Sequence, residues 1–172
     1  MDTQTAFQEV TDLLQPWARW TKQVQPNLLT VSISRAHLLP AVKALIDARW
    51  GYLSAITGLH LPLAAALAPA YDGPEPDPLI TGGSFVVLYH FCNGDAVLNL
   101  RVHPPSIKDT RVPSICGLIP SATLYERELM EMFGIEVEGT PDTSHLLLPD
   151  EWPDGVYPLR KDYHGPAAPA QL

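Results

Sequence analysis

Late in the chain stand residues whose types could do chemistry. Glu126, Glu128 and Glu131 fall within "YERELMEMFGIEVEGTPD", Tyr125 to Asp142, and His145 follows closely. Carboxylates at this density can act as general acids or bases, or can hold a divalent metal. One reading is therefore a stand-alone metal-dependent hydrolase using the Glu126, Glu128 and His145 region. The other reading is structural. Glu126, three residues after Thr123, would close a capping box and lie where the helix dipole favours negative charge. Arg127 and Glu131 are four apart and can pair. On a helix Glu126 and Glu128 point in different directions, a poor arrangement for sharing one reacting atom. A structural or docking role fits the run better than catalysis.

Other chemistries find less support. The six histidines, His37, His60, His90, His103, His145 and His164, form no HExxH or HxxEH spacing. His90 and Cys92 alternate on one predicted strand face, where two ligands could meet, but a surface pair is the simpler reading. Two cysteines, Cys92 and Cys116, cannot alone supply the four ligands an iron–sulfur cluster usually takes. Their lack of a paired framework suits a reducing compartment. There is no GxGxxG and no GxxxxGK[ST]. A net charge of −8 disfavours nucleic acid as a partner. The polar, acidic start of the chain does not read as a signal peptide. No apolar run reaches the roughly 20 residues of a membrane helix; the nearest, Leu59 to Ala70, is broken by Pro62 and Pro69.

The elements that must position these residues follow from periodicity. Thr5-x-x-Gln8 reads as a capping box, with Phe7, Val10, Leu14 and Trp17 on one helical face and Pro16 ending the helix. Leu28 to Ser34 alternates as a half-buried strand. Pro40 suits the first turn of a second helix, with Leu38, Val42, Leu45, Ile46 and Arg49 on its stripe. Tyr52 to Thr57 reads as a strand, and Gly58 to Gly83 as a long loop with a helical turn in its Ala-rich part. Asn93-Gly94 favours a type I′ hairpin pairing Phe85 with Val102, Val87 with Leu100, Tyr89 with Leu98 and Phe91 with Ala96. Pro113 opens a short helix through Ile119. The next helix buries Tyr125, Leu129, Met132 and Phe133, and Gly134 takes the left-handed position after it. Ile135 to Glu138 reads as a short strand, with little regular structure beyond. In the tail, Trp152, Tyr157 and Tyr163 stand beside Arg160 and Lys161 among prolines, a composition suited to a protein interface.

Together, YERELMEMFGIEVEGTPD, HLLLPDEW and YPLRKDY resemble the 30-kDa subunit family of proton-pumping NADH–quinone oxidoreductases (respiratory complex I). The clear likeness runs from about Pro113 to Tyr163. The longer link between Trp152 and Pro158 is closest to the homologous small subunit of energy-converting membrane-bound nickel–iron hydrogenases. So are Leu124, Thr140, Ser144 and His145, which replace residues common in the quinone-reductase members. The resemblance implies a cofactor-free subunit of a hydrophilic arm, peripheral on the cytoplasmic side of the cell membrane. It implies packing against the large catalytic subunit (49-kDa-like or hydrogenase large) beside an iron–sulfur subunit. Partner-binding residues would be Glu126, Arg127, Glu128, Trp152, Pro158, Leu159, Arg160, Lys161, Asp162 and Tyr163. The expected fold is a two-layer α+β domain: a mixed, largely antiparallel sheet with helices on one face and an extended C-terminal tail. Residues 1–139 would be the core and 140–172 the docking segment.

Overall fold

Alternating apolar residues set the architecture. In the computed structural model, which describes residues 2–61 and 84–165, five strands form one sheet in the order β1-β2-β5-β4-β3. They are β1 (Ala18–Gln25), β2 (Leu28–Ile33), β3 (Tyr52–Leu61), β4 (Ser84–Asn93) and β5 (Ala96–Val102). The β2–β5 pair is parallel and the others are antiparallel. Register lines Leu29, Val31 and Ile33 up with Leu98, Leu100 and Val102, then with Phe91, Tyr89 and Val87. All nine are buried. This face carries the helices α1 (Thr3–Leu14), α2 (Leu38–Asp47) and α3 (Ala122–Phe133), whose apolar stripes join one core. A small parallel pair, β6 (Val112–Pro113) and β7 (Val137–Glu138), brackets α3.

Packing, more than propensity, holds these helices. Phe7, Val10 and Leu14 are buried along α1. Each contributes about 1.5–3 kcal/mol by burial, against at most about 0.7 kcal/mol per residue from ordinary helix preference. Trp50 ties α1 to the turn after α2 by donating its indole N–H to Ala6 O at 3.1 Å. At the other end of the sheet Gly58 lets α3 approach β3: a Cβ there would lie 2.6 Å from the Phe133 ring and 3.0 Å from Leu129.

The sheet's other face is mixed: Val86 is fully buried there and Leu88 half-buried, beside polar His90, Asn99 and Arg101. His90 spans Asn99 Oδ1 at 2.6 Å and Thr57 Oγ1 at 2.9 Å. An amide oxygen only accepts, so His90 Nδ1 donates to it. Arg101 lies over the Trp20 ring at 5.9 Å.

Several local expectations change. The α1 cap is Asp2, whose carboxylate accepts from Gln4 N and Thr5 N, so Thr5 lies inside the helix. Strand β1 was not expected; it is an exposed edge strand, and an edge without a buried face leaves no apolar alternation to read. Helix α2 stops at Asp47, and Arg49 takes a left-handed φ of 52° outside it. Ile46 is partly exposed. Strand β3 continues through Leu61. The rest of the expected loop, with its helical turn, falls outside the described residues. Pro113 belongs to β6 rather than to a helix.

The hairpin closes one residue further along, which moves each residue's partner by two. Asn93 pairs with Ala96, leaving Gly94-Asp95 as the loop. Gly94 has a φ of 58°, and it is the first central residue. A single positive φ there suits a type II′ turn, whereas type I′ needs two. A two-residue shift keeps every side chain on its face, so the apolar face is the expected one although the partners differ.

Candidate docking surface

Helix α3 uses its charged side chains in two directions. Glu126 points inward. It is 1% exposed, despite its charge, because its stripe is shared with Ala122 and Leu129. Its carboxylate accepts from Ile115 N at 2.7 Å, Ser114 Oγ at 2.8 Å and Cys116 Sγ at 3.1 Å. A buried carboxylate is tolerable only when its lone pairs are taken up in this way. The expected capping box is therefore absent. Ser121 stands at the N-cap with helical φ and ψ and no side-chain cap bond. Glu126 instead clamps the 114–116 loop to the helix. Burial, first, and then the Glu126 charge push the Cys116 thiol's pKa up, so the thiol stays a donor.

Arg127 and Glu131 point outward, onto the segment that follows β7. Arg127 donates to Ser144 O at 2.9 Å and to His145 O, and lies 3.3 Å from the Asp142 carboxylate. Hydrogen bonds from Ser144, more than that arginine, hold the Asp142 carboxyl below its ordinary pKa. Glu131, 8% exposed, accepts the backbone N–H groups of Leu146 and Leu147 at 2.9 Å and Leu148 at 3.3 Å. The expected Arg127–Glu131 pairing is replaced by a division of labour: one takes carbonyls, the other amides. Glu128 is half-buried.

The last described stretch returns to the C-terminus of α3. Leu159 N donates to Met132 O at 3.1 Å, and Arg160 Nε to Phe133 O at 2.6 Å. These carbonyls have no partner within their own helix. The Arg160 guanidinium lies over the rings of Tyr157 at 4.2 Å and Phe85 at 5.0 Å. Lys161 N donates to His60 Nδ1 at 3.0 Å. His60 stacks on Phe85, and burial, outweighing nearby Asp162, lowers its pKa. Trp152 donates to Val156 O at 2.8 Å and meets Tyr163 at a ring separation of 6.5 Å. Leu147 is 63% and Leu159 50% exposed, and Lys161 and Asp162 face solvent. Pro158 is half-buried.

The residues of the hydrolase reading are not brought together. Both Glu126 oxygens are engaged on the inner side of α3, while His145 is held on its outer side through Arg127. Among the described residues no group of three or more His, Cys, Asp or Glu side chains could hold a metal ion. What the sequence reading missed is Glu131 as an acceptor of main-chain amides, and His60 as a seat for the tail. An Arg and a Glu four apart look the same in sequence whether they pair or each reach for a passing chain.

Comparison with known proteins places this geometry. The sequence model described as the 30 Kd subunit of respiratory-chain NADH dehydrogenase matches residues 31–169. The C/D subunit of the NADH-quinone oxidoreductase of Salmonella typhimurium is 41% identical over 88 residues, 49% of this chain but 14% of that protein. The Salmonella typhi protein matches to the same extent. Among solved structures, a trypsin-resistant fragment of Nqo5 superposes with a TM-score of 0.58 at 23% identity, covering 83% of this chain and 99% of that one. A chain of the membrane-bound sulfane sulfur reductase, an archaeal respiratory membrane complex, gives 0.62 at 21% identity, covering 92% and 85%.

Proposed function

The chain belongs to the respiratory-chain NADH dehydrogenase 30-kDa subunit family, and from that membership we propose that it is a cofactor-free assembly subunit of a membrane-bound, ion-pumping redox complex. In this reading it sits in the peripheral arm on the cytoplasmic side of the membrane. It stabilises a large catalytic subunit, of the 49-kDa or nickel–iron hydrogenase type, beside an iron–sulfur subunit. No described helix is long and apolar enough to cross a membrane, so membrane association would come through the complex.

One observation carries the reading: the two family-like motifs, ERE on α3 and PLRKDY in the tail, fold into one unit. Glu126 fixes the helix to the core, Arg127 and Glu131 fix residues 144–148 to the helix, and Arg160 closes the helix end. A surface shaped by so many main-chain ties and tipped with exposed leucines suits a protein partner better than a small substrate. The residues 140–172 would form the docking segment on the 1–139 core. Glu128, Trp152, Pro158, Leu159, Lys161, Asp162 and Tyr163 would meet the partner, with Glu126, Arg127 and Arg160 shaping the surface from behind.

Tagging the chain in its own host, solubilising membranes gently and identifying what co-purifies tests this. Recovery with a hydrogenase-like large subunit and membrane pump subunits would support the hydrogenase branch; an NADH-oxidising module would select the quinone-reductase branch. Recovery of the chain alone from the soluble fraction would defeat the proposal.

A further inference from the structure

Arg127 and Glu131, one helical turn apart on the outer side of α3, grip five consecutive residues by opposite polarities. The guanidinium takes the carbonyls of Ser144 and His145, and the carboxylate takes the amides of Leu146, Leu147 and Leu148. Bonds with one ionised partner are the stronger kind. Further along, Leu159 N and Arg160 Nε fill carbonyls that α3 leaves open, and Lys161 N seats on His60. The core is also shaped to receive this segment. Gly134 has a φ of 65°, and a Cβ there would lie 2.4 Å from Tyr157 Cζ and 2.5 Å from Arg160 Nη2. The segment thus occupies the space that the glycine leaves.

We infer that residues 142–163 are a strap latched onto their own domain before any partner arrives, with Glu131 as the principal anchor. Arg127 and Arg160 then act within the chain, as positioning residues, and not across an interface. The latch meets the ordering entropy of the strap in advance, so a partner encounters a preformed surface with Leu147 and Leu159 outermost. The inference rests on the proposed docking role only for the strap's purpose; the latch itself is a property of the single chain.

Hydrogen exchange on the purified full chain tests it, independently of any co-purification. The amides of Leu146, Leu147 and Leu148 should exchange at least about tenfold more slowly than an unstructured peptide. Glu131→Gln offers one oxygen and an opposing NH2 group, and should abolish that protection while the β4–β5 amides keep theirs. Unprotected 146–148 amides in the natural chain, or unchanged protection in the variant, would overturn the latch. Should Glu131→Gln also lose the β4–β5 protection, Arg127→Leu takes its place. Faster exchange at 146–148 on an intact sheet would then support the latch, and unchanged exchange would refute it.

Discussion

Cys116 donates its thiol to the carboxylate of Glu126 across 3.1 Å, in a layer closed to solvent between the 114–116 loop and α3. The same carboxylate holds Ser114 and the Ile115 amide. The first acid of the ERE run is thus a structural clamp.

Replacing Glu126 by Ala strands a buried amide and a hydroxyl. The expected loss is about 3 kcal/mol, or a fall in Tm of about 6–12 °C for a chain of this size. Thermal unfolding followed by circular dichroism checks it. A Tm within 2 °C or so of the natural chain would mean that the clamp contributes little.

The Cys116 thiol should resist alkylation. Burial raises its pKa, which lowers the thiolate fraction, and the side chain is buried. Iodoacetamide at pH 8, with peptide mapping, should label half-buried Cys92 first and Cys116 only on unfolding. Equal labelling would count against the clamp geometry.

Gly58→Ala should force α3 away from β3, because the new methyl would press on Phe133 and Leu129. Overpacking of this kind costs about 1–3 kcal/mol. Chemical denaturation reads the shift. The companion change Phe133→Leu in the same chain should restore part of it.

Acidification should loosen the tail at Lys161. His60 Nδ1 must be unprotonated to accept that amide. Its folded pKa lies below the ordinary 6.5, so between the two values the unfolded chain binds more protons. The contribution is therefore complete above pH 6.5 and is lost as pH falls through the lower, folded value. Exchange at the Lys161 amide, measured from pH 7.5 to 5, should show this; in His60→Phe it should be fast throughout.

Arg160→Glu should lower the yield of assembled complex. The reversal sets a carboxylate against the Phe133 carbonyl and removes a cation from the faces of Tyr157 and Phe85. Quantifying the large subunit recovered with a tagged chain measures it, and an unchanged yield would sink the docking role.

Much of the fold was legible because burial writes periodicity. Leu29, Val31 and Ile33 marked their strand, and Phe7, Val10 and Leu14 their helix, since each set faces one core. Strand β1 left no such mark, being held by main-chain pairing at an exposed edge. The ERE and PLRKDY motifs pointed to the stretch from which the candidate surface is built. Their inward and outward division was hidden, because a glutamate's letter is the same at 1% exposure as on an open face. Glu126 stands among apolar stripe positions, and only the 114–116 loop, brought alongside by tertiary structure, explains it.

The parallel seam between β2 and β5 has a kinetic consequence. Leu28 pairs with Val97 and Ile33 with Val102, positions roughly seventy apart in sequence. The strands on either side, β1–β2 and β4–β5, are joined by tight turns and can zip locally within microseconds. The two ribbons must then find one another through a much larger loop closure. Joining them is expected to be the slow event, and until it happens both ribbons would expose unpaired edges to neighbouring nascent chains.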